Sequence, residues 1–222
     1  MGIVVSSRFF KGRTDGIKYR RKRRKIEHQR KILLKGEIKM TKIGILVGSL
    51  RRDSFSQKFA ENMDLFFPES YELDIIEIGH LPFYSQDLDG EDYVHESFKL
   101  FREKVKEKDA FLFITPEYNR SFPAVLKNAL DVGSRPPSEN IWNGKAAAII
   151  SQSPGSYGGF GANHHLRQVM SAINLQVLQQ PETYIRRSGE MFNEQGLLTD
   201  ERTKKLLQKF STAFVELIEK HV

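Results

Sequence analysis

The sequence predicts an α/β domain built on a doubly wound, five-stranded parallel sheet with helices on both faces, and three observations carry that prediction. From residue 42 onward, short β-branched runs alternate with amphipathic segments of helical period. The run Asp109-Ala-Phe-Leu-Phe-Ile-Thr115 is apolar at nearly every position, which suits a strand covered on both faces. Polar, glycine-containing stretches fall directly after the strands, where an open parallel sheet places its ligands.

Ile43-Gly-Ile-Leu-Val47 is the first strand, followed by the loop Gly48-Ser49-Leu50-Arg51-Arg52-Asp53-Ser54. Phe55, Phe59, Met63 and Phe66 then recur at helical spacing until Pro68 ends the run. Residues 71–78 read as the second strand, and a helix over 94–105 aligns Phe98, Phe101 and Val105 on one face. After the third strand, 109–115, the loop Pro116-Glu117-Tyr118-Asn119-Arg120 leads to a helix that opens at Ser121 or Phe122 and stops at Gly133. Residues 145–150 are the fourth strand, 151–161 a glycine-rich connection, and 163–173 a helix. A short fifth strand, 176–178, precedes a loop through Pro181 and Tyr184. Thr199-Asp200-Glu201 caps a last helix whose Leu206, Leu207, Phe210, Phe214 and Leu217 face the sheet. Right-handed crossovers between five strands give the order 2-1-3-4-5, the flavodoxin-like winding, over the six-stranded dinucleotide fold.

Charge divides the chain in two. Residues 1–39 hold fourteen Lys or Arg against Asp15, Glu27 and Glu37, or +11, so the chain's +7 leaves residues 40–222 at −4. The arm, with its block Lys18-Tyr-Arg-Arg-Lys-Arg-Arg-Lys25, lacks the apolar period a core needs and is expected to be disordered or loosely helical. A nucleic-acid tail, a membrane-surface or targeting segment and a regulatory extension all fit it. So does a translated ribosome-binding site, because Lys35-Gly-Glu-Ile-Lys39 can be encoded by a purine-rich string shortly before Met40. The expectation is that Met40 is the native start in a bacterium. With no helix-turn-helix or stacking motif, nucleic acid is not the expected partner. No apolar run is long enough to span a bilayer, no cysteine offers a disulfide or thiolate, and the cytoplasm is the default compartment.

The chemistry concentrates in the loops after strands one, three and four. The first offers Ser49, Ser54 and Ser56 hydroxyls, the Arg51 guanidinium, Gln57 and the amides of a helix start, which suit a phosphate dianion or, more plainly, an ordinary serine cap. No Gly-Lys-Ser/Thr follows, which excludes a P-loop, and G-x-G-x-x-G is missing too. Adjacent His164 and His165 without a carboxylate cluster do not make a metal site, so a core or interface role is expected for them.

Gly48-Ser-Leu-Arg51-x-x-Ser54, Pro116-Glu-Tyr-Asn119-x-Ser-x-Pro123-x-x-Leu-Lys127-Asn128-x-x-Asp131 and the 153–161 loop together resemble the NADPH-dependent FMN reductase family. Its members include flavin, quinone, chromate and azo-dye reductases. The resemblance implies bound FMN, NADPH or NADH as co-substrate, a small-molecule acceptor and a homodimer or homotetramer. It puts the FMN phosphate on Ser49, Arg51, Ser54, Ser56 and Gln57, although relatives often carry Asn at one of the last two positions. Pro116, Glu117, Tyr118 and Asn119 would lie along the isoalloxazine, with backbone amides near N1 and O2 stabilising the reduced anion. Ser153, Gly155, Tyr157, Gly158 and Gly159 would approach the ring closely, glycines removing the steric barrier. Hydride passes from nicotinamide C4 to flavin N5, so no catalytic side chain is demanded. Asn128 and Asp131 are expected to tie the Pro-Glu-Tyr loop in place. Lys127 is read as solvated or a subunit contact, Arg135 as a local cap or an anion contact, and Tyr84 as a packed loop aromatic or a second-substrate contact. The rival function is a flavodoxin-like electron carrier without its own NAD(P)H site.

Intact-protein mass from the native host checks the reading of the arm: the expected chain begins at Met40, and a mature chain retaining earlier residues overturns it.

Overall fold

The computed structural model describes residues 40–221, so every reading of the basic arm lies outside the described residues. Six parallel strands form: β1 (Thr41–Val47), β2 (Tyr71–Ile76), β3 (Ala110–Pro116), β4 (Ala146–Gln152), β5 (Gln176–Val177) and β6 (Thr183–Ile185). Their order is β2-β1-β3-β4-β5, with β6 also paired to β4. The helices are α1 (Phe55–Asn62), α2 (Glu96–Lys106), α3 (Ala124–Gly133), α4 (Phe160–Ala172) and α5 (Glu201–Glu219).

The expected fifth strand is split. Gln176 and Val177 pair with Ala146 and Ala147, the chain then leaves the sheet, and Thr183 to Ile185 rejoins β4 opposite Ile150 to Gln152. A run of three residues just after a proline carries too little periodicity to read as a strand, so residues 183–185 were expected as loop. Helix starts shift for local reasons. Tyr118 and Ser121 exchange backbone hydrogen bonds of 2.8 and 2.9 Å around Asn119 (φ 49°) and Arg120 (φ 69°), a tight two-residue turn of the I′ kind. Extended Pro123 follows as N-cap, which delays α3 to Ala124. Gly159, at φ 79°, caps α4 and starts it at Phe160, earlier than the sequence suggests.

Side-chain alternation along the strands divides the core in two. Ile43, Ile45, Leu112, Ile114, Ala148 and Ile150 pack against Phe59 and Met63 near α1 and against Leu207, Phe210, Phe214 and Ile218 of α5. In that helix Leu206 and Leu217 are only partly buried, and Ile218 takes the deep position instead. Leu46, Ile76, Phe111, Phe113 and Ile149 meet Phe98 and Phe101 of α2, Leu126 and Leu130 of α3, and Leu166 and Met170 of α4. Trp142 is fully buried in this second cluster; its indole N–H donates to the Leu130 carbonyl at 3.0 Å, which also accepts from the Ser134 amide at 3.0 Å near the end of α3. Arg102 on α2 clamps Asp89 with two bonds of 2.8 and 2.7 Å and gives Nε to the Val132 carbonyl, tying the 85–95 loop to the same helix end.

Gly133 ends α3 against that indole: a Cβ there would sit 2.5 Å from Trp142 Nε1 and 2.6 Å from Cε2. Gly133→Ala is expected to destabilise the fold by about 1–3 kcal/mol through overpacking, which a shift in the urea unfolding midpoint at unchanged slope checks.

Candidate functional site

The carboxyl ends of β1, β3 and β4 lie side by side, Val47 opposite Ile114 and Pro116 opposite Gln152, so the three chemically loaded loops emerge together. The first turns on Gly48, whose amide donates to the Ile114 carbonyl at 2.9 Å. A Cβ at Gly48 would meet Leu126 Cδ1 at 2.7 Å and Thr115 Oγ1 at 2.8 Å, so only glycine lets the loop leave the strand here.

Ser54 is the N-cap of α1, accepting from the Gln57 amide at 3.2 Å. The first-turn amides of Phe55 and Ser56 have no intrahelical acceptor and give this end partial positive charge. Arg51 is exposed; its Nη2 donates to the Asp53 carbonyl at 2.6 Å and its guanidinium stacks over Phe55 at 5.2 Å. Ser49 Oγ accepts from the Arg51 amide at 3.4 Å, and Gln57 reaches Glu61 at 3.2 Å. Ser56 has a different position from its neighbours: its hydroxyl is fully buried and accepts from Gln152 Nε2 at 2.9 Å.

In the second loop Tyr118 is more than half exposed at the turn. Glu117 does not face solvent: its Oε2 accepts from the Ala162 amide at 3.2 Å, placing a carboxylate on the first turn of α4, where the helix dipole favours it. Gly161 permits that approach, since a Cβ there would lie 3.1 Å from Glu117 Oε2 and 2.7 Å from the Arg120 carbonyl. Arg120 in turn covers the Tyr157 ring of the third loop at 5.1 Å.

The third loop is pinned beneath by the chain after β6. Ser153 Oγ accepts from the Gly155 amide at 3.0 Å, the Arg187 amide donates to the Gly155 carbonyl at 3.1 Å, and the Ser188 amide to the Ser153 carbonyl at 3.2 Å. Gly158 (φ 64°) and Gly159 have left-handed backbones and press on the protein itself. Added Cβ atoms would lie 2.8 Å from the Tyr184 carbonyl carbon and 2.9 Å from Ser151 Cβ. Their glycine character is therefore explained by packing on β4 and β6, a reason the sequence did not show.

Several expected roles change. Asn128 is a structural tie, but to a different segment: its Oδ1 accepts from the Tyr84 amide at 2.8 Å and its Nδ2 donates to the Pro82 carbonyl at 2.9 Å. Asp131 ties no loop, and pairs with Lys127 at 2.7 Å one turn away. Tyr84 stacks on Phe98 at 6.1 Å, the packed-aromatic alternative. Arg135 is exposed, and the end of α3 is closed by Ser134 instead. His164 and His165 are exposed rather than in the core. His164 Nε2 lies 3.0 Å from the Tyr184 hydroxyl, and His165 Nδ1 3.1 Å from Ser121 Oγ. Burial, followed by the Glu182 carboxylate, pushes the Tyr184 phenol up to about 12, so it stays protonated at neutral pH.

Gln152 and Ser188 carry the site from below and escaped the sequence reading. Gln152 joins Ser56 and, through Oε1, accepts from Ser188 Oγ at 2.6 Å, all three side chains being buried. Nothing local marks a glutamine at a strand end as the link between three loops. Among the described residues, no helix is long and apolar enough to cross a membrane.

The family of NADPH-dependent FMN reductases matches over residues 41–190. A quinone reductase of Pseudomonas putida is 43% identical over 177 residues, covering 80% of this chain and 94% of that protein. A 2-hydroxy-1,4-benzoquinone reductase of a Burkholderia species is 42% identical over 169 residues, with coverages of 76% and 91%. The solved structure of FerB, a flavoenzyme NAD(P)H:(acceptor) oxidoreductase from Paracoccus denitrificans, superposes with a TM-score of 0.76 at 38% identity, covering 82% of this chain and 99% of that one.

Gln152→Met removes the partner of two buried hydroxyls at once. At about 1–3 kcal/mol for each group left unpaired, a loss of roughly 2 kcal/mol or more is expected, read in a urea melt against the milder Gln152→Glu.

Proposed function

The chain belongs to the NADPH-dependent FMN reductase family, and from that membership we propose that the loops after β1, β3 and β4 hold FMN and that a quinone is the acceptor. It is an FMN-dependent NAD(P)H oxidoreductase passing electrons to a small acceptor. FMN bound there would supply the two-electron hydride chemistry. The observation that carries the proposal is the convergence of a positive helix start, an exposed guanidinium and an exposed tyrosine turn at one end of the sheet.

Ser49, Arg51, Ser54 and Gln57 are the side chains proposed for the phosphate. Arg51 supplies a fork of donors once it releases the Asp53 carbonyl, and the amides of Phe55 and Ser56 add the helix end. Buried Ser56 contributes its amide, its hydroxyl oxygen already accepting from Gln152 Nε2. The loop Pro116-Glu117-Tyr118-Asn119 offers its backbone to the pyrimidine edge of the ring, where fixed dipoles stabilise developing negative charge. Ser153, Gly155, Tyr157, Gly158 and Gly159 border the other side. Glu117 positions this loop through α4 and transfers no proton.

Two further parts of the proposal concern the setting. Tyr118, Tyr157 and Phe160 are each more than half exposed around the loops, an aromatic surface that fits a second copy of this chain. The domain over 40–222 is the proposed catalytic unit, working in the cytoplasm, where NAD(P)H is regenerated.

Adding NADPH or NADH anaerobically to the FMN-loaded protein is expected to bleach the flavin absorbance within seconds, and a quinone to restore it. Yellow colour persisting for minutes with both nucleotides favours the electron carrier and ends the reductase reading. Arg51→Ala is expected to weaken FMN binding about 10- to 100-fold, as loss of charge-assisted bonds to a dianion requires; unchanged FMN retention on ultrafiltration places the phosphate elsewhere.

A further inference from the structure

Beyond β6, the same end of the sheet carries a recess that the flavin reading leaves unused. It is a cleft of about 740 Å³, beginning at Ser156 in the loop after β4 and reaching the first turn of α5. Three arginines line it: Arg186 and Arg187, directly after β6, and Arg202 on α5. Arg186 and Arg187 are exposed and make no ion pair among the described residues. Arg187 holds a left-handed backbone (φ 52°), and its amide N–H donates to the Gly155 carbonyl at 3.1 Å, which ties its backbone to the loop after β4.

Two carboxylates face the three guanidinia. Asp200 is committed as the cap of α5, accepting from the Thr203 amide at 2.7 Å. Glu190 is exposed and its carboxylate can accept hydrogen bonds from hydroxyls. Met191 and Leu206 give the cleft an apolar side against which a flat ring can rest. Forked cationic donors for a dianion, an acceptor for hydroxyls and an apolar wall are together what a phosphorylated nucleoside needs.

We propose that this cleft receives the 2′-phosphorylated adenosine end of NADPH, with Arg186, Arg187 and Arg202 gripping the phosphate that NADH lacks. The inference rests on the nicotinamide-dependent reading above and adds the element that sets nucleotide preference. Selectivity follows from the charge balance. Without the 2′-phosphate the guanidinia gain no dianion, and NADH is held by its remaining contacts alone.

The test is calorimetric titration of the FMN-loaded full chain with adenosine 2′,5′-bisphosphate and, separately, with AMP. The bisphosphate is expected to bind at least tenfold tighter than AMP and to leave the flavin in place. Arg186→Ala and Arg202→Ala are each expected to weaken it about tenfold and to lower the NADPH-over-NADH ratio of kcat/KM by a similar factor. Equal affinity for the two probes overturns the inference. So does release of FMN by the bisphosphate, which assigns the binding to the flavin phosphate loop. Binding that persists in a protein whose flavin neither nucleotide bleaches keeps the cleft as a nucleotide site and sinks the redox reading instead.

Discussion

A parallel sheet covered on both faces leaves polar side chains one place to gather, the carboxyl ends of its strands. β3 and β4 are buried nearly throughout, and β1 from Ile43 onward. Hydroxyls, amides and guanidinia along those strands would be dehydrated at considerable cost. Thr115, Ser151 and Gln152, at the carboxyl ends of β3 and β4, are buried with hydrogen bonds, and the exposed polar groups gather from Gly48, Pro116 and Ser153 on. The core bears on the site directly: Leu126 and Thr115 press so close to Gly48 that a Cβ there would meet them at 2.7 and 2.8 Å.

The loops are joined to one another as well as to the strands. Ser56, Gln152 and Ser188 form a buried chain of hydrogen bonds under the first loop, the third loop and the segment after β6. Glu117 and the Ala162 amide join the second loop to α4, and Arg120 over Tyr157 closes the gap at the surface. Buried polar links in a low-dielectric setting lose more than one bond when a member is removed, because the partner is left dehydrated. Such a frame can hold a planar ligand on three sides without placing a reactive side chain beside it. That suits chemistry carried by the ligand rather than by the protein.

Much of this was legible in the sequence, for reasons that also explain what was not. Strand and helix period shows the main elements, because Ile43, Leu112 and Ile149 lie in strands long enough to display their pattern, and right-handed crossovers between five strands favour the observed order 2-1-3-4-5. β6 was missed because three residues carry no period, and its pairing with β4 depends on a register that only the folded chain has. The loops were found by their position after strands. Roles inside them were harder, since a side chain's direction is not written in its neighbours. Ser54 and Ser56 look alike in sequence, yet Ser54 caps α1 and Ser56 turns inward to Gln152. Gly158 and Gly159 suggested an opening for a ligand, and their immediate neighbours are β4 and Tyr184. Asn128 was recognised as a tie, but the Leu81 to Tyr84 segment it holds lies more than forty positions away along the chain.

Net charge says little about what such a site attracts. The region after residue 39 totals −4, which on its face disfavours phosphorylated ligands. Fields from exposed charges are screened within roughly 8–10 Å at physiological ionic strength, so a dianion at the strand ends responds to what lies nearest. There it meets the start of α1 with Arg51, Arg120 paired with Glu117 beside the tyrosine turn, and three arginines, Arg186, Arg187 and Arg202, against Glu190 and Asp200 around the neighbouring cleft. Carboxylates away from that end are paired with lysines: Asp74 with Lys104 and Lys108, and Glu139 with Lys106. Residues 40–222 thus carry a net negative charge while guanidinia stand at the strand ends, and local placement, not the total, decides which anion is held.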